Sequence, residues 1–173
     1  MYRVLLERSA DTAFVALGSN LAESAAIVSR AMDRLQTLSA APVLRSTLWQ
    51  SAPVDCPPGS PLFINAVAGL RPRAGETPST LLSQLQELER EFGRQPGKIR
   101  NEPRLLDLDL IAFGSRLVTL PDLQLPHPRA VMRRFVLQPL SEIAPDFVLP
   151  GQTRSVRELL ARLPADEKLT RVS

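Results

Sequence analysis

The chain has one cysteine, one histidine, one tryptophan, one tyrosine and two lysines in 173 residues. Each scarcity excludes something. A single thiol, Cys56, cannot build a disulfide framework and fits a reducing compartment. A single histidine, His127, cannot form a histidine-rich metal site. With only 5% aromatic residues and no RNP-type pattern, the chain lacks the stacking platform of an RNA-binding sheet. No apolar run is long enough to cross a membrane, and "MYRVLLERSADT" lacks the apolar core of a signal peptide. A phosphate-binding P-loop is also missing: "GRQPGKI" (93–99) is too short in spacing and has isoleucine after the lysine. What is plentiful is arginine. Lys98 and Lys168 are the only lysines among 21 basic residues, with a net charge of +3 and a pI near 9.7. Arginine suits bidentate recognition of phosphate.

Periodicity and punctuation set out the elements. "FVALGSN" (14–20) reads as a short buried strand, with Ser19 or Asn20 as a candidate helix cap. A helix with Leu21, Ala25, Val28, Ala31, Leu35 and Leu38 on one face follows. "VLRSTLWQS" (43–51) and "LFINAVAGLR" (62–71) read as strands around the proline-rich loop 52–61. A second helix is capped by Thr77, has Pro78 in its first turn, and stops at Gly93. "SVRELLARL" (155–163) is a closing helix. The order β-α-β-β-α-β followed by helices predicts an α+β sandwich with a mostly antiparallel sheet. One domain over 13–163 is expected, with tails at 1–12 and 164–173.

The chemistry concentrates in "PRLLDLDLIAFG" (103–114). Strand side chains alternate, so Leu106, Leu108 and Leu110 face one way and Asp107 and Asp109 the other. Two carboxylates about 6.5–7 Å apart at the backbone repel each other unless something positive sits beside them. Such a pair is either a hard-oxygen site suited to Mg2+, completed by water and phosphate, or the solvated polar face of an amphipathic strand. Arg94, Lys98, Arg100 and Arg104 lie just upstream, and Arg129, Arg133 and Arg134 downstream. That is the pairing of metal-holding carboxylates with cations that phosphoryl transfer needs. The basic loop 93–103, hinged at Gly93 and Gly97, reads either as a cover that closes over phosphates or as a solvated basic loop. His127, held between prolines in "LPHPR", can donate to a phosphate or serve as a turn residue.

Taken in order, "ALGSNL" (16–21), "FINA" (63–66), "PRLLDLDLIAFG", "LPHPR" (125–129) and "PLSEIAPD" (139–146) resemble the 6-hydroxymethyl-7,8-dihydropterin pyrophosphokinases of folate biosynthesis. The resemblance implies a ferredoxin-like α-β-α sandwich and Mg2+-dependent transfer of pyrophosphate from ATP to the pterin, with release of AMP. Two Mg2+ ions are implied, on Asp107 and Asp109. Arg94 and Arg104 would act in catalysis, with Arg104 also on the nucleotide. Gln86, Glu89, Arg100, Leu110, His127 and Arg133 match nucleotide-contacting positions. Gly18, Ser51, Val54, Phe63, Asn65 and Phe135 match the pterin pocket. The partners expected are these two small molecules, with neither nucleic acid nor membrane, in a cytoplasmic monomer.

The chain departs from the family at several points. Asn101 and Glu102 stand where tryptophan and glycine are common, and Pro96 and Gly97 replace basic loop residues. Pro128 follows His127 where some members have tyrosine. Asp122 and Gln124 replace arginine and threonine, and Ser51-Ala52 replaces threonine-proline. Two other readings stand beside the enzyme: a divergent paralogue that binds pterin or nucleotide without efficient chemistry, and, remotely, a ferredoxin-like RNA-binding module.

Overall fold

Strand β1 (Ala13–Ser19) is apolar on both faces, and its place in the sheet explains why. In the computed structural model, which describes residues 11–21, 23–56, 58–93, 105–165 and 168–172, β1 is flanked on both sides. It runs antiparallel to β4 (Phe63–Leu70) and to β5 (Asp107–Phe113). Beyond β4 lie β3 (Trp49–Ser51) and then β8 (Leu169–Arg171), giving the order β5-β1-β4-β3-β8, while β2 (Leu44–Arg45) pairs with the far end of β4. A separate hairpin joins β6 (Val118–Thr119) to β7 (Gln124–Leu125).

Alternation along the central strands splits the core in two. Val15, Leu17, Leu108 and Leu110 pack against α1 (Ser24–Leu35) and α2 (Pro78–Glu91), through Val28, Leu35, Leu81 and Leu85. Phe14, Val67 and Ile111 face the other way, toward Val136, Leu137 and Leu140 of α3 (Arg134–Ile143) and Val156 of α4 (Val156–Arg162). A strand covered on both faces needs apolar residues at consecutive positions. The result is the expected ferredoxin-like α+β sandwich.

Local chemistry sets the ends of the helices. Thr77 and Thr80 form a reciprocal capping box at α2, with the Thr80 amide donating to Thr77 Oγ1 at 3.1 Å and the Thr77 amide to Thr80 Oγ1 at 2.9 Å. Pro78 fills the first turn, and Gly93 follows with φ 90°. Ser155 and Glu158 repeat the box at α4.

Three expectations change. The strand predicted over 43–51 is broken, because the Ser46 hydroxyl accepts the Val67 amide at 2.9 Å and takes over a ladder bond. The register then slips by one residue between Arg45↔Ala68 and Trp49↔Asn65. The cap of α1 is neither Ser19 nor Asn20 but Glu23, in the left-handed conformation at φ 61° and without a side-chain cap bond. Ser19 is still in the strand there, paired with Ile64. Finally, the segment expected as a C-terminal tail supplies β8, paired with β3 from Trp49↔Arg171 to Ser51↔Leu169.

Candidate active site

The site begins with strand register. Gly18 on β1 lies opposite Asn65 of β4 on one side and Asp107 of β5 on the other. One step along, Ala16 lies between Val67 and Asp109. These residues share the face turned toward α3, and the missing side chain of Gly18 leaves a hollow between Asn65 and Asp107. A Cβ there would stand 3.8 Å from both Asn65 Oδ1 and Phe63 Cδ1, ordinary contact, so the backbone has no need of glycine at this position. The glycine keeps the cleft open.

The cleft, with the open space at its mouth included, spans about 820 Å3. Gly18, Ser51, Val54, Phe63, Asn65, Asp107, Asp109, Arg133 and Phe135 all line it, so the structure brings nine of the expected residues together. Ala16, Leu17, Ala52, Cys56 and Val136 line it as well and were not anticipated. Nothing in their apolar or small side chains distinguishes them in sequence from core residues.

Asn65 is 4% exposed and firmly oriented. Its Nδ2 donates to Ser51 Oγ at 2.9 Å and to the Trp49 carbonyl at 3.4 Å. With the amide nitrogen committed, Oδ1 is the atom turned toward Gly18 and the hollow. The cleft therefore offers an acceptor here, suited to an N–H edge of a flat heterocycle, with Phe63 and Phe135 as apolar faces.

At the other end are the charges. Asp107 and Asp109 are half-buried on one face of β5, as the D-x-D spacing requires. Among the described residues no group of three or more His, Cys, Asp or Glu gathers to hold an ion. Two hard carboxylates with the rest of the shell left to water and phosphate oxygens fit Mg2+. Arg133 stands before α3 with its guanidinium 5.4 Å from the Phe135 ring centre, linking the charged end of the cleft to the apolar one. Burial, followed by Arg129, pulls its pKa below the usual guanidinium range, against the opposing fields of Asp109, Asp55 and Asp107.

His127 lies within the field of this charge cluster but not in the lining of the cleft. Its Nδ1 accepts the Arg129 amide at 3.2 Å, which assigns the ring proton to Nε2 and makes that atom the donor. Burial first, then Arg133 and Arg129, push the imidazole below its ordinary value, although Asp107 pulls the other way. The unfolded chain thus takes up this proton more readily than the fold. Stability is complete above about pH 6.5 and falls as pH drops from there to the lowered folded value. An NMR titration of the chain's one imidazole should give a midpoint below about 6.5. The stability lost across that window should disappear in His127→Gln, and a midpoint at or above 6.5 would contradict the burial account.

The remaining expected residues lie elsewhere. Gln86 is exposed on α2. Glu89 is 2% exposed, and its Oε1 accepts the amide of Leu108, the residue between the two aspartates, at 2.7 Å. Leu110 is 4% exposed in the core beneath α1 and α2. Glu89 and Leu110 therefore back β5 from the face opposite the cleft. Arg94, Arg100 and Arg104 lie outside the described residues, as do Pro96, Gly97, Asn101 and Glu102.

Comparison with known proteins gives the family. The signature of the 7,8-dihydro-6-hydroxymethylpterin-pyrophosphokinase (HPPK) family matches residues 14–145. The chain is 42% identical over 152 residues to the 2-amino-4-hydroxy-6-hydroxymethyldihydropteridine pyrophosphokinase of Pseudomonas aeruginosa, covering 87% of this chain and 91% of that one. It is 35% identical over 163 residues to the enzyme of the same name from Haemophilus influenzae, covering 94% and 98%. In fold it is similar to the wild-type HPPK-DHPS of Plasmodium falciparum, with a TM-score of 0.66 at 12% identity. That match covers 87% of this chain and 40% of that longer one. With the matched region running from β1 through α3, and so across every strand and helix that lines the cleft, the chain belongs to the 7,8-dihydro-6-hydroxymethylpterin-pyrophosphokinase family.

Proposed function

We propose that this protein transfers a pyrophosphoryl group from ATP to 6-hydroxymethyl-7,8-dihydropterin in the presence of Mg2+, forming the pterin diphosphate and AMP. The observation that carries the reading is the row Asn65–Gly18–Asp107 on three neighbouring strands. It puts the Asn65 amide and the two carboxylates side by side in one cleft, which supports a heterocycle at one end and a metal at the other.

In this reading the pterin ring lies between Phe63 and Phe135, with an N–H edge on Asn65 Oδ1 and with Gly18, Ser51 and Val54 shaping the hollow. Its hydroxymethyl group then points along the cleft toward Asp107 and Asp109. The two aspartates would hold two Mg2+ ions, which supply charge neutralisation on the triphosphate and acidify the attacking hydroxyl. Arg133 and the Nε2–H of His127 take phosphate oxygens, with Arg94, Arg100 and Arg104 reaching them from the loop. Gln86 is the α2 residue assigned to the nucleotide, and Glu89 and Leu110 support the strand on which the nucleotide rests. The hydroxyl oxygen attacks the β-phosphorus, the bond from that phosphorus to the bridging oxygen of the α-phosphate breaks, and AMP leaves with that oxygen. The hydroxyl proton passes to solvent, since among the described residues no side chain in the cleft is suited as a general base. Catalysis here is positioning and electrostatics.

The test is an assay of purified protein with MgATP and the hydroxymethyl dihydropterin, with AMP and ADP resolved. Pterin-dependent AMP is expected. ADP in its place would overturn the pyrophosphoryl assignment, and neither nucleotide from folded protein would favour a binding-only paralogue.

A further inference from the structure

The stretch "PLSEIAPD" has so far done no work at the site. Its Glu142, near the end of α3, lies on the surface outside the cleft. Yet the carboxylate collects donors from one short segment of the opposite wall. The Thr47 amide donates to Oε2 at 2.7 Å, and the Thr47 hydroxyl reaches Oε1 at 2.8 Å and Oε2 at 3.0 Å. The Trp49 indole donates to Oε1 at 3.2 Å. An isolated surface ion pair would contribute little. Several charge-assisted bonds converging on one carboxylate hold geometry more firmly.

What they hold is informative. Helix α3 carries Phe135 and Val136 on one wall of the cleft, while β3 and the loop after it carry Ser51, Ala52 and Val54 on the other. Thr47 and Trp49 span the break between β2 and β3, where the register of the ladder shifts by one residue. The Trp49 carbonyl in turn receives Asn65 Nδ2, whose second partner is Ser51. A line of contacts runs from Glu142 through Trp49 to the amide of Asn65.

We infer that Glu142 is a positioning residue for the heterocycle pocket: it clamps Trp49 and Thr47 to α3, and so fixes both the width of the cleft and the orientation of the Asn65 amide. This rests on the reading of the cleft as a pterin site. The reacting phosphates lie at the other end, so the clamp governs pterin affinity rather than the chemical step.

The test compares wild type with Glu142→Ala, Glu142→Gln and Trp49→Phe. Pterin binding is followed by calorimetry with Mg2+ and a non-hydrolysable ATP analogue, alongside steady-state kinetics. Glu142→Ala should raise the pterin Kd and KM about five- to tenfold, the equivalent of roughly one ordinary hydrogen bond. Its kcat and its KM for ATP should stay within about twofold of wild type. Glu142→Gln should recover part of the loss. Trp49→Phe should give a smaller loss, and combined with Glu142→Ala in a double variant it should add nothing further. Pterin affinity unchanged in both Glu142→Gln and Trp49→Phe would overturn the inference even if Glu142→Ala failed to fold. So would parallel losses for both substrates with a fall in Tm, the mark of a merely structural residue. Wild type that bound no pterin would overturn the proposed function, and the clamp with it.

Discussion

Replacing Asp109 by Asn is expected to lower pterin-dependent AMP formation by about a thousandfold or more at saturating substrates, because charge stabilisation at a metal-held phosphoryl group amounts to several kcal/mol. Asp107→Asn should behave alike, since the two carboxylates stand on one face of β5 and line one cleft. The fold should scarcely notice. Both side chains are half-buried rather than core, and Leu108 and Leu110, which anchor the strand, face the other side. Tm should therefore stay within a few degrees, which for a chain of this size corresponds to about 1 kcal/mol. Calorimetry should show weakened Mg2+ binding in the presence of a non-hydrolysable ATP analogue. A variant that kept near-normal turnover in Mg2+ would falsify the assignment of the pair.

The second large effect concerns Asn65. Asn65→Leu has nearly the same size and shape, so packing beneath Gly18 is retained, but three functions disappear together. The amide no longer donates to Ser51 Oγ or the Trp49 carbonyl, and the acceptor facing Gly18 is lost. A site built to hydrogen-bond a heterocycle loses much more from an unpaired polar group than from a missing methylene. The pterin KM should rise about a hundredfold while the KM for ATP changes little, because the charged groups proposed to hold phosphate lie at the other end of the cleft. Losses of similar size in both would show that Asn65 serves the whole cleft and not one substrate.

The largest effects belong to residues that were legible in different degrees. The shared face of Asp107 and Asp109 follows from strand alternation alone, and so was readable before any fold was known. The same is true of α2, which Thr77, Pro78 and Gly93 delimit through bonds and dihedrals within a few residues of themselves. Asn65 could be singled out only by resemblance. No periodicity separates a strand-end asparagine that reads a ligand from one that caps a turn.

The sequence by itself thus determined what depends on near neighbours along the chain: the alternation along the aspartate strand with its carboxylate pair, and the limits of α2 and α4. The tertiary structure alone decided what depends on distant partners. The Ser46 hydroxyl splits a predicted strand because the amide it takes belongs to Val67. Leu169–Arg171 becomes a strand because β3 leaves an edge open to it. Glu89 turns its carboxylate to the Leu108 amide across 19 residues, and Glu142 reaches Thr47 across 95. Such bonds form only after the chain has been brought together by burial elsewhere. Until then a surface glutamate that holds a pocket in shape and one that merely meets solvent are the same letter in the sequence.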